Sequence, residues 1–204
     1  MVKMAQRKSR SDRRIDLIEA ARRAIIKHGV DGVQLSHVAE EARLTSGAVL
    51  YHYPDLGELL VEAQHSGMER FYEQRLRQIA ALTDPATKLV LTIKSGLPTG
   101  PLDPDVRLLN ELGGAAGRHR VYGVLLTSLY DRQVSMYQSI LDTGSALGVF
   151  RLTADALSIS RNLVALEDAY GYRITARHPL IGPEEAAELI LSYARTVTGN
   201  DLLH

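Results

Sequence analysis

The 204-residue chain contains no cysteine, which excludes disulfides and thiolate-held metal sites. No apolar run is long enough to cross a bilayer. The basic N-terminus is not followed by the apolar stretch of a secretory signal, so a cytoplasmic location is expected. The formal net charge is zero, so there is no uniform basic coat of the kind that packages nucleic acid. Catalytic signatures are missing as well: no G-x-S-x-G elbow, no phosphate-binding glycine loop and no H-E-x-x-H. The seven histidines are scattered. His28 is expected at a helix C-terminus, where its charge suits the dipole, and His119 and His178 are expected to face solvent. No enzymatic activity, no metal and no cofactor is expected. No segment alternates at period two long enough to suggest a sheet, and there is no internal repeat or low-complexity tract.

The chain has the composition of a soluble globular protein, 45% hydrophobic and 24% charged. Its length suffices for one or two domains with a sizeable core. The zero net charge hides an asymmetry. Residues 1–53 carry ten Lys and Arg against six Asp and Glu, and the remainder is acidic by the same margin. A basic end on an acidic body suggests that one end docks while the other does something else.

Almost every segment reads at helical period, which predicts an all-α fold of about nine helices. Ser9 and Asp12 offer capping oxygens before a first helix whose inward face is Ile15, Ile18, Ala21 and Ile25, with Gly29 as its stop. Gln34 or Ser36 starts helix two, with Val38, Ala39 and Ala42 inward. Thr45 or Ser46 caps helix three. Pro54-Asp55 marks the next break. A long helix follows from about Leu56 to Leu82, its stripe opened by Leu56, Leu59, Leu60 and Ala63. A short helix opens at Asp84-Pro85. Gly96–Pro104 is a loop, because its prolines and glycines cannot stay helical. Another short helix holds Val106, Leu108, Leu109 and Leu112 and is expected to end at Gly113-Gly114. Arg118 to Leu147 reads as one helix, roughly 45 Å long at 1.5 Å per residue, ended by Gly148. Thr153–Ile174 and Pro183–Val197 complete the set.

The stretch LSHVAEEARLTSGAVLYHY, Leu35 to Tyr53, reads as helix, tight turn, short helix. Upstream lies a basic arm with Lys3, Arg7, Lys8, Arg10, Arg13 and Arg14. A short helix can lie in the major groove if its first residues are small or polar and its back is anchored. Thr45, Ser46, Gly47 and Ala48 meet the first need, and Val49 and Leu50 the second. Tyr51, His52 and Tyr53 can donate to phosphates or stack on sugars.

The order of motifs is a helix ending in HG, then V-A-x-x-A, a T-S-G turn, Y-H-Y, and a long helix opening with E-L-L. Over roughly residues 12–62 this resembles the DNA-binding domain of the tetracycline-repressor (TetR-like) family of bacterial regulators. Asn162 to Ile174, NLVALEDAYGYRI, resembles the penultimate helix of the choline-sensing (betaine-type) repressor subgroup. The resemblance implies that Thr45 and Ser46 form the N-cap and first recognition position. It implies that Gly47 and Ala48 approach bases, and that Tyr51 and His52 bind phosphate. Gln34 falls where the family has a threonine that caps helix two and touches phosphate, with Ser36 beside it. Arg10 and Arg13 join this DNA-binding set from the arm. Two positions depart from the pattern. Arg43 replaces the usual turn glycine, at a cost of roughly 1–2 kcal/mol if left-handed, and offers a phosphate contact in return. Leu56 replaces a phosphate-binding lysine.

The resemblance further implies a DNA-binding helix-turn-helix domain over 1–55 and a ligand-binding and dimerisation domain over 56–204. Two stripes suit a homodimer interface: Ala156, Ile159, Leu163, Leu166 and Tyr170, then Ala186, Leu189, Ile190, Tyr193 and Val197. The same stripes would serve an intramolecular core equally well. For a pocket, the candidates are Phe71, Tyr72, Asn110, Glu111, Tyr122, Tyr130, Tyr137, Asn162, Glu167 and Asp168. Several converging acids would favour a cationic or amine ligand. The expected function is a sequence-specific transcriptional regulator. Most simply it is a repressor released from a pseudo-palindromic double-stranded DNA operator by a small-molecule effector. The alternative is a helical protein-interaction adaptor with a non-specific basic nucleic-acid anchor.

Overall fold

The computed structural model describes residues 10–201 and Leu203. Lys3, Arg7 and Lys8 of the basic arm, and the cap expected at Ser9, lie outside the described residues. Among those residues the chain forms nine α-helices and no strand. They are α1 (Arg10–His28), α2 (Leu35–Ala42), α3 (Ser46–His52), α4 (Leu56–Ile79), α5 (Pro85–Gly96), α6 (Pro104–Ala116), α7 (Arg120–Ala146), α8 (Ala156–Thr175) and α9 (Pro183–Thr198). None is long and apolar enough to cross a membrane.

Short polar side chains start five of the described helices, α3, α4, α5, α6 and α8. Thr45 Oγ1 accepts from the Ala48 N–H at 3.2 Å, Asp55 Oδ1 from Gly57 at 2.7 Å, Asp84 Oδ2 from Thr87 at 2.8 Å, and Asp155 Oδ1 from Ser158 at 2.8 Å. Asp103 Oδ1 serves two amides, Asp105 at 3.0 Å and Val106 at 3.2 Å. Each such cap stabilises its helix by about 1 kcal/mol. Pro85, Pro104 and Pro183 occupy first-turn positions, where a missing N–H costs nothing. Gly29 ends α1 at φ +73°, the left-handed conformation that glycine adopts without strain.

Several boundaries and faces differ from the sequence reading. Arg10, Arg13 and Arg14 belong to α1 rather than to an extended arm, and Asp12 sits in its first turn. The buried face of α1 is Leu17, Ala20, Ala21, Ala24 and Ile25, so the stripe is displaced and Ile15 is left 58% exposed. Helix α6 runs through Gly113 and Gly114 to Ala116. Each helical glycine costs about 1 kcal/mol, but Leu112 and Ala115 bury the same face on either side and hold the helix together.

Two apolar clusters result. One gathers the inner faces of α1–α3 with the first half of α4, α6 and the start of α7. The other gathers α5, the second half of α7, α8 and α9. Helix α6 therefore packs against α1 as well as against the body. Its grip on α1 is also polar. Asp105 Oδ1 accepts from the buried Arg22 at 2.7 Å and from Arg70 on α4, and Arg107 donates to the Ile26 carbonyl at 3.1 Å. Just past α6, Arg118 Nε and His119 Nε2 meet the two carboxyl oxygens of Asp31 at 3.1 and 2.8 Å. His119 first, then Arg118, holds the Asp31 carboxyl below its ordinary range. His119 is exposed, as expected, and from the surface it also ties the α1–α2 turn to the body.

Candidate functional site

Helices α2 and α3 are joined by a tight corner. Arg43 is left-handed at φ 55°, ψ 47°. Its N–H and that of Leu44 close the helix end by donating to Glu40 and Ala39 carbonyls at 3.0 and 2.9 Å. The strain expected for a residue with a Cβ is present, and the Arg43 side chain is exposed. At the other end of α2 the Gln34 N–H donates to His37 Nδ1 at 3.1 Å. The His37 ring also stacks on that of His28, 3.8 Å between centroids. Lys27 and Arg23 grip Glu41 from α1 and hold its carboxyl low. These two cations are already engaged.

Helix α3 is seated by Val49, which is fully buried. Its outer face offers Gly47, Leu50 at 40% exposure and Tyr51 at 73%. Ser46, Ala48 and His52 are half-buried beside them, and Gln34, Ser36, Arg43 and Thr45 are exposed around the corner. A Cβ at Gly47 would meet nothing within 4 Å, so backbone there can be approached closely. Thr45 spends its hydroxyl on the cap. On α1, Arg10 is exposed, while Arg13 is half-buried and faces Asp16 at 3.8 Å.

Three expectations for this region are corrected. Leu50 does not anchor α3; one turn of helix cannot turn two adjacent residues inward, and Val49 takes the place. Tyr53 is 2% exposed, and its hydroxyl donates to Glu62 Oε2 at 2.7 Å, so it cannot reach a phosphate. Arg14 lies over the Tyr53 ring at 4.1 Å and binds Glu62 at 2.9 Å, tying α1 to α4. Leu56, where the resemblance implies a lysine, packs against the N-terminal cluster.

The body holds a cavity of about 580 Å³, within the usual range for small-molecule sites. Helix α4 supplies Phe71, α6 supplies Leu109, Asn110, Gly113 and Gly114, α7 supplies Tyr130 and Gln133, and α8 supplies Glu167 and Asp168. Of the expected residues, Phe71, Asn110, Tyr130, Glu167 and Asp168 converge here. The others do not. Tyr72 stacks on Arg132, 4.0 Å from its ring. Glu111 reaches toward Gly29. Tyr122 is buried in the N-terminal cluster. Asn162 lies on the outer face of α8, donating to the Tyr193 hydroxyl at 3.0 Å. Tyr137 is buried behind the cavity and hydrogen-bonds Glu167. Sequence reasoning misses Gln133, which lines the cavity, and Arg75, which is not in its wall but binds Glu167 from behind and whose sequence setting is that of a surface residue.

Arg75 and Glu167 form a buried pair. Arg75 Nη2 donates to Glu167 Oε1 at 2.6 Å and to the Thr92 carbonyl at 2.9 Å. Burial pushes the Glu167 carboxyl up to about 7, against the pull of Arg75 and Tyr137. Asp168 is exposed at the rim. On its inner side, crowding atoms shed enough water to push its carboxyl up to about 6. Among the described residues no three His, Asp or Glu side chains converge to hold a metal.

The outer faces of α8 and α9 correct the dimer stripes. Ala156, Ile159, Leu163, Ala186, Ile190 and Val197 are buried in the protomer's own core. Leu166, Tyr170 and Tyr193 are half-buried, and Leu189 is 37% exposed.

Residues 17–63 match the family described as "Bacterial regulatory proteins, tetR family". No curated protein sequence matches the chain. Solved structures share its fold over most of their length. A transcriptional regulator from Saccharomonospora viridis in complex with choline superposes with a TM-score of 0.84 at 22% identity, covering 91% of this chain and 96% of that one. A TetR transcription regulator from Haloarcula marismortui gives 0.79 at 24% identity, over 92% and 98%. AibR, in complex with isovaleryl coenzyme A and operator DNA, gives 0.70 at 17% identity, over 92% and 99%. The findings agree in kind: residues 17–63, from α1 into α4, are similar to the tetR family of bacterial regulatory proteins, and the chain as a whole shares its fold with these solved regulators.

Proposed function

We propose that the chain is a homodimeric, cytoplasmic transcriptional repressor that leaves its operator when a small molecule fills the body cavity. In this reading, residues 1–55 read DNA, and 56–204 bind the effector and dimerise. Arg10, Arg13, Gln34, Ser36, Arg43, Tyr51 and His52 contact the backbone, and Thr45, Ser46, Gly47 and Ala48 approach bases. The outer faces of α8 and α9 meet their copies through Leu166, Tyr170, Leu189 and Tyr193. Such a dimer sets two α3 helices into successive major grooves, about 34–36 Å apart.

The observation that carries the reading is the double role of α6. Leu109, Asn110, Gly113 and Gly114 line the cavity, while Asp105 and Arg107 on the same helix hold α1. A ligand that shifts α6 must shift the polar grip on the DNA-reading domain. It biases the equilibrium only by its difference in affinity for the two arrangements. The solved relatives support both halves, one holding choline and one holding isovaleryl coenzyme A with operator DNA.

Selection of bound duplexes from a random pool at near-physiological salt tests the reading. Enrichment of a pseudo-palindrome supports it. Salt-sensitive binding to every sequence alike, with no enrichment, sinks it and favours a non-specific anchor on an adaptor.

A further inference from the structure

This inference rests on the cavity being the effector site, and concerns what the effector is. None of the described residues lining the cavity is basic, while two acidic residues, Glu167 and Asp168, are part of its wall. Glu167 is 2% exposed, and its two oxygens differ. Oε1 receives Arg75 Nη2 and the Tyr137 hydroxyl. Oε2 is buried and has no hydrogen-bond partner. A buried acceptor without a donor is costly and rare. The position is also built for this carboxylate, because a Cβ on Gly96 would run into it.

The charges do not cancel. Two carboxyls face one guanidinium, which leaves a surplus of one negative charge, with Glu167 buried and Asp168 at the exposed rim. One cation neutralises it. An anion would add a second uncompensated charge in a low-dielectric setting. The remaining walls, Phe71, Leu109, Leu129 and Tyr130, offer apolar and aromatic surface, which suits the body of an organic cation.

We propose that the cavity binds a small organic monocation, an amine with at least one N–H on an apolar body, whose ammonium donates to Glu167 Oε2 beside Asp168. Arg75 stays on the far side of the carboxylate, bound to Oε1, and favours its ionised form against the pull of burial.

The test is calorimetry on the full chain at pH 8, with four probes of similar shape: phenethylamine, its N,N,N-trimethyl derivative, phenethyl alcohol and phenylacetate. The amine should bind once per protomer, at least about tenfold tighter than the alcohol, the acid or the trimethyl cation, the scale of a charge-assisted hydrogen bond. Glu167→Gln and, at the exposed rim, Asp168→Asn should each weaken the amine by about tenfold and leave the alcohol unchanged. Circular dichroism checks that both variants fold. Equal or tighter binding of the alcohol, acid or trimethyl cation overturns the proposal. So does an amine that fails to bind at millimolar concentration, or one indifferent to both substitutions. Titration of the selected operator separates the two readings. An amine that binds selectively without releasing DNA sinks the effector role alone. An acid or alcohol that binds best and releases DNA sinks the cation alone.

Discussion

Arg75 on α4 and Glu167 on α8 meet at 2.6 Å with both side chains about 1% exposed. Two of the guanidinium's nitrogens, Nε and Nη1, have no hydrogen-bond partner. The pair is thus incompletely satisfied on both sides, an arrangement that well-packed apolar residues would usually match or exceed in stability.

Removing one partner is a different matter. Arg75→Met leaves a buried carboxylate alone and should destabilise the fold by about 3–5 kcal/mol at pH 8. The loss should shrink toward pH 6, because Glu167 can take up a proton. Denaturant unfolding at both pH values reads this. An equal loss at each would mean that the charge is not the cause.

The pH dependence of stability follows from the same carboxyl. Folded Glu167 titrates at about 7, against an ordinary value of 4.5. The folded state therefore holds more protons between those values, and stability falls as pH rises through this window. Arg75 from α4, Tyr137 from α7 and Asp168 on α8 face the group, and Asp168, up at about 6, adds in the same direction. Glu167→Gln removes its share. The stability of the variant relative to the native chain should rise from pH 4.5 to 7, by no more than about 3 kcal/mol, and then level off. A difference flat across that range would assign the titration elsewhere.

At the helix-turn-helix corner, Arg43→Gly should have opposite effects on stability and on binding. Relief of the left-handed strain should stabilise the fold by about 1 kcal/mol. Loss of an exposed cation should weaken binding to all duplexes and lower the salt slope by about one. Thermal unfolding and salt-dependent DNA titration give the two readouts. An unchanged slope would remove Arg43 from the interface.

The outer face of α3 makes a finer prediction. Tyr51→Ala should weaken every duplex alike, as a backbone contact does. Gly47→Ala meets open space and should fold normally while changing the selected sequence. A Tyr51→Ala protein with full affinity would mean that the recognition face is rotated by one residue.

The elements legible in the sequence are those whose signals are local. Thr45, Asp55 and Asp84 mark their helix starts through contacts within three residues. The cavity is only half legible. Phe71, Asn110, Tyr130, Glu167 and Asp168 come together as polar or aromatic breaks in apolar stripes. Arg75 does not announce itself, because its partners, Glu167 and the Thr92 carbonyl, are 92 and 17 residues away. The stripes on α8 and α9 mix two faces. Helical periodicity alone does not tell inner from outer when both are apolar: Leu163 packs inward and Leu166, three residues on, lies at the edge. Gly113-Gly114 reads as a stop because the burial of Ala115 beyond it is tertiary.

Those two glycines have a consequence for how such a binding site can change. A Cβ at either position would meet no atom within 4 Å, and replacing a helical glycine with alanine ordinarily stabilises by about 1 kcal/mol. The chain forgoes that gain twice, and both residues line the cavity. Each is a place where one methyl group trims the room left for a ligand while strengthening the helix. Drift toward a sturdier α6 and drift toward a smaller effector are, at these positions, the same mutation.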